Sequence, residues 1–268
     1  MGKSTKYTAK IPDENGLIPY TPDEDAVWRD LITRQRPIVE KYACDDYLQA
    51  LERMHFPTDR IPQCPEVSAV LRQHTGWQVV PVPALIPFDQ FFSLLADKKF
   101  PAASFIRSRE DMDYLQEPDI FHEVFGHTPL LTDPRFAEFT HAYGKAGVRA
   151  HKNDHVMLAR LYWFTVEFGL ITTRRGLKTY GAGIVSSFGE TPYSIDSNKP
   201  LRKPFDPIDA LRTPYRIDIF QTTYFIINSL EDMFNLAHKN LMVLINEARR
   251  LGMHDPNFPP ADKKIGWA

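Results

Sequence analysis

Apolar residues recur every three to four positions along most of the chain, a spacing typical of helices with one buried face. Asp45 and Asp46 are suited to cap the second of these helices, while Pro65 fits the first turn of the third and Gly76 its end. The helical pattern resumes at Asp119. Helices are predicted around residues 27–32, 47–54, 65–71, 88–99, 136–148, 155–171 and 229–251.

Stretches that favour β-strands are few and short. They lie at residues 77–82 and 104–107, and two such strands are too few for a doubly wound sheet. Residues 172–214, rich in Gly, Ser and Pro, are predicted to be loop, and residues 1–24 an extended N-terminal arm. No internal repeat or flexible linker divides the remainder. The pattern therefore predicts a single domain, mainly α with small β strands, over residues 25–268.

Composition and charge exclude several classes of function. A formal net charge of -2, with basic residues scattered along the chain, leaves no footprint for nucleic acid. No apolar run is long enough to span a bilayer, and residues 1–15 lack the apolar core of a signal peptide, so we expect a cytoplasmic protein without a membrane partner. Residues 256–268 have no heptad pattern, and we expect a monomer. Cys44 and Cys64 lack metal-binding spacing and are expected to be buried, reduced thiols.

Two histidines in the segment PDIFHEVFGH give the first indication of chemistry. His122 and His127 are five residues apart, which on a continuous α-helix separates their side chains by roughly 140° around the axis. Both rings can face one ion only if the helix ends or distorts between them, and Gly126 is placed to permit this. The spacing differs from the HExxH motif of zinc proteases, whose histidines stand four apart. Alternatively, the pair are two polar residues near a helix end.

An acidic residue interrupts the most apolar helical stretch of the chain. Residues 156–171 leave almost no polar face, which is typical of a buried helix, yet they include Glu167. An ionised carboxylate is costly to bury unless it meets a cation or a metal. Glu167 is therefore a candidate third ligand. The alternatives are a pairing with Arg160 or an exit to solvent near Gly169.

Two histidines and one carboxylate on one side of an ion form the facial triad of non-haem iron(II) oxygenases, which leaves coordination positions open for oxygen. A zinc hydrolase would use the same three ligands to activate water. A binding protein with structural zinc is a further alternative. Structural zinc sites are closed by four protein ligands, however, and the sequence offers no fourth candidate.

Three segments, PDIFHEVFGHTPLL, YWFTVEFGL and YGAGIVSSFGE, resemble the pterin-dependent aromatic amino acid hydroxylases in type and order. The similarity extends from about residue 28 to residue 232, and the chain has the bare catalytic length of the bacterial members that act on phenylalanine. This resemblance implies a single catalytic domain that uses Fe(II), a tetrahydropterin and O2. The expected substrate is L-phenylalanine and the product L-tyrosine, with tryptophan or tyrosine as alternative substrates.

The resemblance also implies roles for individual residues. His122, His127 and Glu167 match the iron ligands, and Arg107 matches the arginine that binds the substrate carboxylate, a task suited to a planar fork of donors. The other residues expected to bind the amino acid are Pro118, Trp163, Phe168, Ser186 and Glu190. Those expected to bind the pterin are Ile86, Phe91, Glu123, Ala159 and Tyr162.

Finer roles follow from the same resemblance. Ser186 and Glu190 match residues that steady the substrate side of the site and its arginine, and Glu123 and Ser186 are expected to take part in catalysis. Phe91 matches the ring that stacks on the pterin, although by spacing alone it would be a core residue.

The apolar residues around the site are expected to keep water out. Trp163, Phe168 and Phe188 are assigned this role. Leu115 is a departure from the family pattern, because longer relatives carry a threonine seven residues before the first histidine. The leucine removes one polar contact to the substrate.

Overall fold

The computed structural model describes residues 6–83, 85–115 and 117–260 of the chain. Its predominantly helical architecture with small strands confirms the predicted fold class. Residues 1–5 of the predicted arm and residues 261–268 of the tail lie outside the described residues. Within these ranges, no helix is both long and apolar enough to cross a membrane.

The α-helices are α1 (Pro22–Tyr42), α2 (Asp45–Met54), α3 (Cys64–His74), α4 (Phe88–Ala96), α5 (Pro134–Arg149), α6 (His155–Tyr162), α7 (Ala182–Val185), α8 (Glu190–Asp196), α9 (Pro207–Arg212), α10 (Leu230–Ala237) and α11 (Leu241–Leu251).

Helix α1 begins at Pro22, within the stretch predicted to be extended. A capping box explains this start: the Glu24 N–H donates to the Thr21 hydroxyl (3.3 Å), and the Thr21 N–H donates to the Glu24 carboxylate (2.7 Å). Proline at the first helical position has a suitable φ and no N–H that would be left unpaired. The predicted apolar stripe is buried, with Trp28 fully enclosed.

Helices α2 and α3 follow the sequence prediction with one difference. Asp45 and Asp46 lie in the first turn of α2 and Cys44 takes the cap position, so the two carboxylates act on the helix dipole and not as caps. Pro65 lies in the first turn of α3, and Gly76 follows its end with a φ of 78°.

The strands form two small sheets. Strands β1 (Gln78–Val82) and β2 (Lys99–Ala103) are parallel and joined by α4. The second sheet has the order β4-β3-β6-β5, in which β3 pairs antiparallel with β4 and parallel with β6, and β5 pairs parallel with β6. Its strands are β3 (Gly169–Thr173), β4 (Gly176–Thr179), β5 (Leu201–Pro204) and β6 (Thr223–Ile227).

The strand predicted at residues 104–107 is wrong, because β2 ends at Ala103. Beyond it the backbone pairs with a loop: the Phe105 carbonyl accepts from the Ile120 N–H (2.8 Å), and the Arg107 N–H donates to the Asp119 carboxylate (3.0 Å). Residues 104–107 favour an extended backbone, but β1, the partner of β2, ends at Val82 opposite Ala103.

Three further boundaries differ from prediction. Residues 172–214 are not loop, since they contain β4, α7, α8, β5 and α9. The helix predicted over residues 155–171 ends at Tyr162 and gives way to a π-turn and then to β3. The helix predicted over residues 229–251 is two helices, because Asn240 caps α11 by accepting from the Met242 N–H (3.1 Å).

One large hydrophobic cluster joins these elements, and it holds the segment that carries the two histidines. The rings of Phe121 and Phe125 are fully buried and stack at 4.9 Å, and the Tyr47 hydroxyl donates to the Phe125 carbonyl (2.7 Å). Cys44 and Cys64 are buried free thiols, as expected, and burial raises the pKa of Cys44 to about 12 and that of Cys64 to about 11.

Candidate functional site

The histidine segment forms a π-turn over His122–His127, which is the distortion that the spacing required. In a π-turn the hydrogen bond spans five residues instead of four, so residues five apart come to the same side of the helix. The Nε2 atoms of His122 and His127 lie 3.1 Å apart. Gly126 is needed for a reason that the sequence did not reveal: an added Cβ would lie 2.9 Å from the Ala182 carbonyl oxygen of α7. Its role is close packing, and not an unusual backbone angle.

A second π-turn, Trp163–Glu167, brings the carboxylate to the same place. The Phe168 N–H donates to the Trp163 carbonyl (2.8 Å), which closes a five-residue turn. One oxygen of Glu167 lies 3.1 Å from His127 Nε2, and the other lies 3.7 Å from His122 Nε2. The pairing with Arg160 does not form, because that guanidinium contacts the Met157 sulfur (3.0 Å).

Two carboxylates lie near the imidazoles and differ in their protonation. Burial raises the pKa of Glu167, but the adjacent imidazoles, His127 first and then His122, outweigh burial and hold that pKa below its usual value. Burial raises the pKa of Glu123 well above its usual value, and the neighbouring carboxylates add to the effect. An oxygen of Glu123 is also within 4.8 Å of both imidazoles, at 3.9 Å from His127 Nε2. Glu167 is both nearer and anionic, and is therefore the better metal ligand.

Ser186 determines which nitrogen of His122 faces the centre. Its hydroxyl donates to the Ala182 carbonyl (2.7 Å), so its oxygen can only accept from His122 Nδ1, 2.9 Å away. With the proton on Nδ1, the Nε2 lone pair of His122 is free to bind a cation. Burial lowers the pKa of His122 to about 4, which keeps the ring neutral. The site thus offers two imidazole nitrogens and one carboxylate, a set that suits Fe(II).

A cavity of about 310 Å³ lies beside this centre, and its walls include every residue predicted to bind the amino acid. Its walls include His122 and Glu167, so a molecule in the cavity reaches the metal ligands directly. Leu115 also lines it. The predicted residues on its walls are Arg107, Pro118, Trp163, Phe168, Ser186 and Glu190.

Arg107 is buried and held by Asp119, a residue that sequence reasoning missed. The two oxygens of Asp119 accept from Nε and Nη2 of Arg107, both at 2.8 Å. Burial raises the pKa of Asp119, but the guanidinium outweighs burial and holds it below its usual value. The Nη1 atom of Arg107 donates to no residue in the described part of the chain, and the guanidinium lines the cavity. An edge of the fork is therefore left for a ligand carboxylate. The only signal in the sequence was an aspartate three residues before His122.

Contrary to expectation, Glu190 forms neither a hydrogen bond nor an ion pair with Arg107. It accepts from the Gln221 N–H (2.9 Å) and from the Tyr224 hydroxyl. Burial raises the pKa of Glu190 to about 7, although these two hydrogen bonds oppose the rise. Gln221, which no motif indicated, accepts from the Trp163 indole N–H (2.9 Å) and so holds a wall of the cavity. Tyr215 packs on the same indole at 4.3 Å.

A second cavity of about 310 Å³ adjoins the same centre, and its walls include every residue predicted to bind the pterin. Phe91 is half-buried on its wall, with its ring edge against Tyr162 at 5.5 Å, and is not enclosed in the core. Both cavities share His122, Trp163 and Glu167. The predicted residues on the walls of the second cavity are Ile86, Phe91, Glu123, Ala159 and Tyr162.

The role predicted for Phe188 is wrong. Its side chain is 40% exposed, and its ring lies under the Arg34 guanidinium at 3.5 Å, outside the walls of both cavities. Trp163 and Phe168, which pack together at 4.5 Å, do lie at the centre.

Comparison with known proteins agrees with this geometry. The model of the biopterin-dependent aromatic amino acid hydroxylase family matches residues 2–248. The chain is 55% identical to phenylalanine-4-hydroxylase of Pseudomonas aeruginosa over 96% of this chain and 98% of that protein. It resembles the apo structure of the cold-active phenylalanine hydroxylase from Colwellia psychrerythraea, with a TM-score of 0.92, 53% identity and coverage of 94% and 98%. It also resembles the Chromobacterium violaceum enzyme with bound Fe(III), with a TM-score of 0.88, 42% identity and coverage of 94% and 92%. The chain therefore belongs to the biopterin-dependent aromatic amino acid hydroxylases.

Proposed function

We propose that the protein is a phenylalanine 4-monooxygenase, which converts L-phenylalanine and O2 to L-tyrosine with a tetrahydropterin at a non-haem Fe(II). One observation carries the proposal: two cavities, one with a free guanidinium edge and one lined by aromatic rings, meet at the ligand side chains His122 and Glu167. The relatives named phenylalanine-4-hydroxylase support this choice of substrate.

His122, His127 and Glu167 would hold the iron. Their ligand atoms lie 3.1 to 3.7 Å apart, and a set of three protein ligands would leave coordination positions for other groups. Iron, pterin and O2 together supply the oxidising chemistry that places a hydroxyl on the ring. The chain itself holds the metal, keeps one imidazole in the required tautomer and aligns two organic molecules beside it.

Arg107 would bind the substrate carboxylate through its free edge, while Asp119 keeps the guanidinium in place. Pro118, Trp163 and Phe168 would confine the aromatic ring beside the ligands. Leu115 contributes an apolar side chain to the wall of this cavity.

In the second cavity, Phe91 and Tyr162 would pack against the pterin ring system together with Ile86 and Ala159. The raised pKa of Glu123 favours its neutral acid, which can donate a hydrogen bond to an acceptor on the pterin. This gives the two acidic residues different tasks, since Glu167 is kept anionic for the metal.

An activity assay with ligand variants tests the proposal. Purified protein with Fe(II), tetrahydropterin and O2 should hydroxylate phenylalanine faster than tryptophan or tyrosine, and Zn(II) should not replace iron. His122→Ala, His127→Ala and Glu167→Ala should each lose bound iron and turnover while the fold survives. Because His238 lies outside both cavities, His238→Ala serves as the matched control. A ligand variant that keeps full iron content and a near-normal rate would remove that residue from the centre, and hydrolysis supported by zinc would favour a hydrolase.

We also propose that the chain acts as a monomer in the cytoplasm, with neither nucleic acid nor a membrane as a partner. The small net charge of -2 supports the absence of a nucleic acid partner. Light scattering coupled to size-exclusion chromatography measures the mass, and a value near twice 30.9 kDa would contradict the monomer.

A further inference from the structure

We infer that residues 6–10, called here the arm segment, are a positioning element for Arg107, and that Tyr7 is the residue through which they act. The inference rests on the proposed role of Arg107 in binding the substrate carboxylate. Neither Tyr7 nor its neighbours line either cavity, so the effect on substrate must pass through the segment that carries the arginine.

The arginine lies on residues 104–108, called here the arginine segment, which pairs with no strand in the described part of the chain. On one side it is held by the chain just before the histidines: the Ile120 N–H donates to the Phe105 carbonyl, and Asp119 accepts from the Arg107 N–H as well as from its guanidinium. These bonds attach the arginine segment to the residues just before the π-turn His122–His127.

The arm segment holds the opposite side. The ring of Tyr7 stacks on Phe105 with centroids 4.7 Å apart and planes within 9°. The Ser108 N–H donates to the Tyr7 hydroxyl (2.9 Å), and that hydroxyl donates to Asp111. Tyr7 therefore contacts the arginine segment on both sides of Arg107, two residues before it and one residue after it.

Further contacts secure the arm segment at its two ends. The Lys10 N–H donates to the Ser104 hydroxyl (2.8 Å), and the Lys6 ammonium lies 2.8 Å from Asp111. The ion pair of Lys6 contributes little, because the Lys6 side chain is 53% exposed and solvent screens the attraction. The stacked ring and the hydroxyl of Tyr7 are the stronger contacts.

The position of the Arg107 guanidinium strongly affects how well it can bind a carboxylate. A guanidinium binds a carboxylate through two parallel hydrogen bonds, so a small shift or rotation weakens both together. Releasing one edge of the arginine segment would leave the Asp119 pair intact but widen the range of positions that the free Nη1 edge occupies. The expected consequence is weaker binding of ligands that carry a carboxylate, with binding of the pterin unchanged.

Equilibrium binding of two ligands to the Fe(II) protein without pterin tests this inference. L-phenylalanine carries the carboxylate, and 2-phenylethylamine has the same ring and amine without it. Tyr7→Ala should raise the Kd for L-phenylalanine roughly fivefold to tenfold and leave that for 2-phenylethylamine unchanged. Tyr7→Phe keeps the stacked ring and should lose only about twofold to threefold. Ile11→Ala, at an 85% exposed position next to the arm segment, is the matched control and should bind both ligands as the wild type does.

A double-mutant cycle with Arg107→Ala distinguishes a failure of the proposed carboxylate role of Arg107 from a failure of the positioning role of Tyr7. If Arg107→Ala binds L-phenylalanine as tightly as the wild type, the proposed carboxylate role is wrong, whatever Tyr7 does. If Arg107→Ala weakens binding but Tyr7→Ala weakens both ligands equally, or adds its full effect in the Arg107→Ala background, the arm segment is merely structural and the inference is overturned. Should Tyr7→Ala fail to fold, the same comparisons apply to Tyr7→Phe.

Discussion

Replacing Ser186 with alanine should weaken iron binding although Ser186 is not a ligand. The hydroxyl accepts from His122 Nδ1 at 2.9 Å because its own proton goes to the Ala182 carbonyl at 2.7 Å. Without it, the Nδ1 proton of His122 loses its partner, and the tautomer that carries the proton on Nε2 becomes competitive. That tautomer cannot bind a metal through Nε2, the nitrogen that faces the centre.

The size of the effect follows from the burial of the imidazole. Leaving a buried donor without a partner costs about 1–3 kcal/mol. If this cost falls on the metal-bound state, the affinity for Fe(II) drops roughly 5- to 150-fold, in line with the 10- to 100-fold typical of losing a hydrogen-bond partner of a metal-binding histidine. Removing the bond to Ala182 also lowers the stability of the fold, by about 1 kcal/mol.

A competition assay against a coloured Fe(II) chelator under anaerobic conditions measures this affinity. Ser194→Ala is the control, because Ser194 is equally buried and donates to the Thr191 carbonyl (2.9 Å) but lies away from the histidines. The two variants should unfold at similar temperatures, and only Ser186→Ala should lose iron. If Ser186→Ala is folded and binds Fe(II) within twofold of the wild type, the tautomer argument is refuted.

Three other substitutions have distinct expected outcomes. Arg107→Lys should raise the KM for phenylalanine strongly and barely change that for pterin, because a point charge cannot replace a bidentate fork; an equal rise in both constants would indicate a general folding defect. Phe91→Ala should weaken pterin binding roughly tenfold and lower the Tm only modestly, since stacking adds about 0.5–1.5 kcal/mol whereas a core phenylalanine contributes about 3–5 kcal/mol; calorimetry of the apo protein and pterin kinetics would reveal the opposite pattern if the ring belonged to the core. Burial raises the pKa of Glu190 from 4.5 to about 7, so its stabilising contribution is complete below pH 4.5 and is lost as the pH rises through about 7. Between pH 5 and pH 8 the wild type should therefore lose about 2.5 kcal/mol of its free energy of unfolding, measured with denaturant, that Glu190→Gln retains, and parallel profiles for the two proteins would contradict the assigned pKa.

Much of the site could be read from the sequence because its members have unusual chemistry for their surroundings. A carboxylate in an apolar helix, and two imidazoles at a spacing that a regular α-helix does not bring to one face, indicate Glu167, His122 and His127 from the sequence alone. The π-turn at His122–His127 was foreseen only as an end or distortion of the helix, and the π-turn at Trp163–Glu167 was not foreseen, since no local residue pattern distinguishes a π-turn from an α-helix.

Several partners of the site could not be found in this way. Gln221 lies 58 residues from the indole that it holds, and Asp119 pairs with Arg107 across a loop. Hydrogen bonds between distant segments leave no periodic signal, so the support of Arg107 was assigned to Ser186 and Glu190. Water exclusion was assigned to Trp163, Phe168 and Phe188. Packing directs Glu190 and Phe188 elsewhere.

The sequence by itself determined the residue types, their order and the local periodicity, and these suffice for the fold class, the family and the identity of the groups that meet at the centre. Only the tertiary structure decided how those groups are charged and oriented. Glu123 and Glu167 are chemically identical, yet one is driven toward its neutral form and the other kept anionic, because desolvation and neighbouring charges exist only once the chain has folded. In the same way, the free nitrogen of His122 is selected by a serine 64 residues away.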